Sequence, residues 1–169
     1  MFHHTLLAGI LTCAAASLAL AGPPLICHPH DIGSAKSLPW KNDGTNKWDN
    51  PDPAYPVRQL SVDTLQLLQP AMPVVVRMET LRRAAIYGLQ DHTAASELLA
   101  ALRGRAKRDT GSLASFDYGC FLASLQQMKW WYKEDLSAGV DGSPFVEQAL
   151  HSGHDPEVRA VLSLIQSAH

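Results

Sequence analysis

Cys27-His28-Pro29-His30-Asp31 places one thiol and two imidazoles within four residues. Donors of that kind suit zinc or copper. In an extended segment His28 and His30 share one face and Cys27 takes the other. A tetrahedral site built on Cys27, His28 and His30 therefore needs a further ligand from His92, His151, His154 or an acid elsewhere in the chain. Neither H-E-x-x-H nor a C-x-x-C pair is present to supply it. The competing chemistry is a disulfide between Cys27 and Cys120, with the histidines left at the surface. A c-type haem motif ending at His28 fails, because position 24 is Pro and not Cys. A thiolate beside histidine is an activated nucleophile, yet nothing marks an oxyanion hole or an orienting partner.

Two other stretches carry side chains of chemical interest. Asp43-Gly44-Thr45-Asn46-Lys47-Trp48-Asp49 has oxygen donors and a glycine. Its spacing departs from the EF-hand loop and Lys47 falls where a ligand is wanted, so it reads as a capped turn. Trp130-Trp131-Tyr132 is an aromatic triplet flanked by Lys129, Lys133 and Glu134. Adjacent tryptophans on a helix cannot face the same core. Either at least one sits near the surface and offers a partner or a sugar ring a face, or, the favoured reading, one packs inward and the Pro-rich arm covers the other. No G-x-S-x-G, G-x-G-x-x-G or Walker pattern occurs, and no pair of carboxylates suggests acid/base work.

The start of the chain gives an address. Leu6 to Leu20 is apolar and ends in Ala19-Leu20-Ala21, a small-x-small cleavage pattern. The run is too short to span a bilayer. The expectation is a signal peptide over 1–21 and an exported, periplasmic or secreted product starting at Gly22, with no membrane anchor after cleavage. Neither Cys13 nor Cys27 follows the small residue that a lipoprotein site requires. In an oxidising compartment a Cys27–Cys120 bond would close a loop of more than ninety residues, which contributes about 4–5 kcal/mol in the chain-entropy description.

Fourteen Lys+Arg against sixteen Asp+Glu give a formal charge of −2, which argues against nucleic acid as a partner. The cations cluster locally all the same. Arg77, Arg82 and Arg83 fall on one expected helix, and Arg103, Arg105, Lys107 and Arg108 end the next. They read as a solvated face and as charges that favour a helix C-terminus.

The elements that position these groups fall into two kinds. Residues 22–59 hold Pro23, Pro24, Pro29, Pro39, Pro51, Pro53 and Pro56, seven of the eleven prolines. They also hold Leu25, Ile26, Ile32, Leu38, Trp40, Trp48 and Tyr55, too many large apolar groups for a solvated linker. This is an irregular Pro-rich arm that packs on the body. Residues 60–169 form a helical domain. Ser61 caps a short helix that stops at Pro70. Pro73 opens a longer one with Val74, Met78, Leu81, Ala85 and Leu89 inward and Glu79 and Arg83 opposite. After the turn Gly88-Leu89-Gln90-Asp91, a helix from Thr93 carries Ala95, Leu98, Leu99, Leu102 and Ala106 on one stripe. A fourth helix from Ser112 to Trp131 is apolar around most of its girth and belongs at the centre. Helices opened by Ser143-Pro144 and Asp155-Pro156 complete an all-α stack or bundle of about five to six helices.

Met78 to Ala106 resembles a tetratricopeptide-type helical hairpin, with Ala84 and Tyr87 late in a first helix and Ala95, Leu99 and Leu102 in a second. Phe116 to Pro156 is similar, with Gly119, Phe145, Ala149 and a closing Asp155-Pro156. The resemblance implies a repeat-like stack that binds another protein. The expected role is thus an exported scaffold or interaction module whose partner is another exported or envelope protein. A metal-binding or redox-responsive protein centred on Cys27, His28 and His30 is the alternative. The intact mass of the exported protein is expected to begin at Gly22; a mass that retains residues 1–21 would contradict the signal-peptide assignment.

Overall fold

The computed structural model describes residues 25–41, 47–109, 112–152, 158–159 and 162. The expected signal peptide, residues 42–46 of the loop before Trp48, and all but Val158, Arg159 and Leu162 of the helix expected from Asp155-Pro156 lie outside the described residues. What is described is all-α: helices with no strand among the described residues.

Leu25 to Pro56 is the irregular arm, held by turns and by one isolated antiparallel bridge, Trp40 to Pro51. A 3-10 turn at Val57–Gln59 leads directly into α1 (Leu60–Leu67). Ser61 thus lies inside α1 and does not cap it; the preceding turn already sets the helical path, and Gln59 takes the cap position without a side-chain bond. The chain leaves the helix at Leu68, just before Pro70. Pro73 precedes α2 (Val74–Tyr87), as its fixed φ and missing donor favour. α3 (His92–Arg108) starts one residue earlier than expected because Asp91 caps it, accepting from the backbone N–H groups of Thr93 and Ala94. Arg105, Lys107 and Arg108 occupy its last turn, where cations suit the helix dipole.

α4 (Ser112–Gln127) is shorter than the periodicity suggests. Met128 takes φ −94° and ψ 0°, and the chain restarts as the single turn α5 (Lys129–Tyr132). That break turns Tyr132 inward, so that its hydroxyl donates to the Ala85 carbonyl at 2.5 Å. Lys133, at φ 58°, ends α5. α6 (Ser143–Ser152) begins where Asp141 accepts from the Ser143 N–H.

α4 is the centre of the body. Every residue from Ala114 to Leu125 is buried. It packs most extensively on α6 and also against α2 and α3, while α1 lies mainly on α3. A helix covered on all sides needs no amphipathic stripe, which is why its apolar residues run around the girth. The α4–α6 contact is as close as backbones allow. A Cβ on Gly119 would lie 2.6 Å from the Gly142 carbonyl oxygen and 2.9 Å from Val146 Cγ2. Gly119→Ala is therefore expected to push α6 off α4 and cost about 1–3 kcal/mol. Thermal unfolding checks this: a fall of several degrees in Tm is expected, and an unchanged Tm would refute the close approach.

Candidate functional site

The face of α2 expected to meet solvent is buried. Arg77, Glu79 and Arg82 are at most 1% exposed. The stripe Val74, Met78, Leu81 and Ala85 faces the core as expected, but the opposite face lies beneath the arm. Periodicity sees only the helix, and here a second layer closes over its polar side.

The polar layer is densely hydrogen-bonded. Glu79 receives Arg82 through Nε and Nη2 at 2.7 and 2.9 Å, and Arg83 through Nε at 2.7 Å. Arg82 Nη1 also donates to the carbonyls of Ile26 and Trp48, and Arg83 Nη1 to that of Leu38. Tyr87 donates to the Pro39 carbonyl at 2.6 Å and accepts from the Asp52 N–H at 2.9 Å. The His30 backbone N–H donates to Glu79, and Ser37 and Thr80 share a hydroxyl bond. Trp40 lies against both guanidinium groups, 5.1 Å from Arg82 and 5.4 Å from Arg83. Burial alone would raise the Glu79 carboxyl. The hydrogen bonds and charges of Arg82 and Arg83 outweigh it and hold Glu79 below its ordinary value.

A second buried pair joins α2 to α4. Arg77 Nη1 donates to both carboxylate oxygens of Asp117 at 2.7 and 2.8 Å, and its Nη2 reaches the Gln69 carbonyl. Arg105 stands 4.0 Å from Asp117. Burial pushes Asp117 up to about 6 against the pull of Arg77 and Arg105.

The residues singled out for metal or disulfide chemistry do not come together. Cys27 and Cys120 are both free thiols, so the expected bond is absent. Cys27 is half-buried in the arm near Arg82 and Asp49. Cys120 is enclosed in α4 near Asp117, where burial pushes it up to about 12. Among the described residues no three His, Cys, Asp or Glu side chains gather as metal ligands. The expected ligand His154 lies outside the described residues, and Cys27, His28 and His30 are not gathered into such a group. Their segment is pinned through the His30 backbone on Glu79, not through converging side chains, and His28 Nε2 is buried without a hydrogen-bond partner. Of the other expected ligands, His92 pairs with Glu134, and His151 bonds the Glu147 carbonyl. Burial raises Cys27, against Arg82, which keeps it a thiol and works against nucleophilic use.

The aromatic triplet divides three ways. Trp130 is 82% exposed. Trp131 packs against Trp48 of the arm, with ring centroids 5.2 Å apart and planes tilted by 60°. Tyr132 is buried against α2, and its ring packs at a tilt against His92.

Two concave regions accompany these contacts. One, of about 500 Å³, lies between the arm and α2. The other is a groove of about 460 Å³ between α3, α4 and the chain after α5. A smaller recess of about 210 Å³ continues it along Arg103, Lys107, Tyr118 and Val140. Leu99, Leu122 and Leu136 supply the apolar floor, and Arg103 and Lys107 stand in the wall. No carboxylate among the described residues lines either part. Compared with known protein families, curated proteins and solved structures, the chain matches none.

The Glu79 cluster gives a pH expectation. Because the folded Glu79 carboxyl titrates below its ordinary 4.5, its stabilisation is complete above that value and is lost as pH falls through the lowered one. The arm is expected to detach on acidification, reported by Trp40 and Trp48 fluorescence. Glu79→Gln, which leaves two guanidinium groups underpaired, is expected to cost about 3–5 kcal/mol and loosen the arm at neutral pH. Unchanged fluorescence and stability in Glu79→Gln would rule out this role.

Proposed function

We propose that the protein is an exported helical interaction module whose groove between α3 and α4 holds an acidic amphipathic helix of another exported or envelope protein. The observation that carries this reading is the pairing of an apolar floor with a cationic wall free of carboxylates. Leu99, Leu122, Leu136 and Val140 suit the apolar stripe of a docked helix. Arg103 and Lys107 suit acidic residues beside that stripe and disfavour basic competitors. Val140 is 41% exposed at the groove edge, as an anchor awaiting cover would be. Export rests on Leu6–Leu20 and Ala19-Leu20-Ala21, and no helix among the described residues is long and apolar enough to cross a membrane. The tetratricopeptide-like pairing over Met78–Ala106 belongs to the same proposal: α2, its turn and α3 follow in the order that resemblance implies, and α4 adds the groove floor.

A photo-crosslinking residue at Ala138, on the groove, tests this in the cell that makes the protein, with Val62 on α1 as the control position. One discrete adduct is expected from Ala138 alone, mapping to a helical segment rich in Asp and Glu. Arg103→Glu combined with Lys107→Glu should abolish it while lowering Tm by no more than the few degrees that a charge reversed in the last turn of α3 costs. The same adducts from both positions, or an adduct indifferent to charge reversal, would overturn the proposal.

A further inference from the structure

The cavity between the arm and α2 is chemically unlike the groove. Its walls include His30, Trp40, Lys41, Lys47 and Arg83, with Asp31 as the only carboxylate among the described lining residues. Asp31 is already engaged, since its Oδ1 accepts from the Gly33 N–H at 2.9 Å. Among the described residues no carboxylate pairs with Lys41 or Lys47. Arg83 spends Nε on Glu79 and Nη1 on the Leu38 carbonyl, while its Nη2 makes no hydrogen bond to the described residues.

Three cations against one carboxylate around one concavity leave an excess of positive charge among the described lining residues, which raises the local potential for any anion that enters. The scaffold beneath them is stiff. Arg83 is fixed by Glu79, and Trp40 by the two guanidinium groups and by Tyr87, whose ring lies 6.0 Å away, edge to face. A fixed guanidinium offers directed donors and two lysines add mobile point charges, a combination matched to oxyanions with more than one negative oxygen. The volume is that of a small-molecule site. We infer that this cavity binds a compact oxyanion bearing two or more charges, such as a phosphate ester or a polycarboxylate. His30 supports this reading. Burial lowers its pKa, so near neutral pH the ring adds a hydrogen-bonding wall without a fourth charge.

Calorimetric titration of the full mature protein at physiological ionic strength tests the inference, with inorganic pyrophosphate, citrate and acetate as separate probes. Saturable one-to-one binding of pyrophosphate or citrate is expected, at least about tenfold tighter than acetate. Pyrophosphate alone identifies a phosphate-bearing ligand, and citrate alone a carboxylate-bearing one. Lys41→Ala combined with Lys47→Ala, both exposed positions, should weaken binding about tenfold or more at unchanged Tm. Arg58→Ala combined with Arg108→Ala, away from the cavity, should leave it unchanged. Absence of saturable binding to both multivalent probes, or equal weakening by the two double variants, would overturn the inference.

Discussion

A Pro-rich segment that lies on a protein without joining a sheet has a donor deficit. Its prolines carry no N–H, yet every residue keeps a carbonyl that must find a partner once water is excluded. In this protein α2 supplies the missing donors. Arg82 serves Ile26 and Trp48, Arg83 serves Leu38, and Tyr87 serves Pro39. Two guanidinium groups cannot be buried without compensating charge, and Glu79 provides it from the same helix. The arm, the polar face of α2 and the cavity between them are thus one construction. Replace the arginines by apolar residues and the carbonyls lose partners; remove Glu79 and the arginines lose theirs.

The other face of the body follows a different rule. α4 is enclosed by α2, α3 and α6, so its contacts are won by fit and not by charge. Gly119 and Gly142 let the chains meet at backbone distance. The charge that enters this region is centred on Asp117: Arg77 binds it through both oxygens and also ties α2 to the Gln69 carbonyl, and Arg105 stands 4.0 Å away. The net contribution of the Arg77–Asp117 pair to stability is small once desolvation is counted, and its geometric consequence is to fix α2 against α4.

Much of the helical body was legible. Pro73, the Gly88–Asp91 turn, the stripe through Leu98 and Leu102 and the all-round apolarity of α4 are local signals, and each maps onto the element it implied. The buried arginines were not legible as such, because a polar helix face reads as solvated unless one knows what covers it. A signal was present all the same. The apolar arm had to pack somewhere, and Arg82 and Arg83 beside Glu79 on one helix face offered what its carbonyls lack. The thiol and imidazoles of Cys27, His28 and His30 show the opposite limit. Proximity in sequence says nothing of convergence when a segment is held by its backbone, as the His30 N–H on Glu79 shows.

The two concave surfaces share a sign that the overall charge does not forecast. At −2 the chain is slightly acidic, yet cations stand at both. The carboxylates have been spent elsewhere. Glu79 and Asp117 are buried in ion pairs. Asp52, Asp91, Asp135 and Asp141 accept backbone N–H groups in turns and at helix starts, and Asp31, at the rim of the arm cavity, does the same within its own turn. Those duties fix each carboxylate beside its own backbone. Lys41, Lys47, Arg103 and Lys107 carry no such duty and stand exposed. A chain that uses aspartate as its main turn-forming residue leaves positive charge at its open surfaces, and that division of labour, more than net charge, sets what each surface can bind.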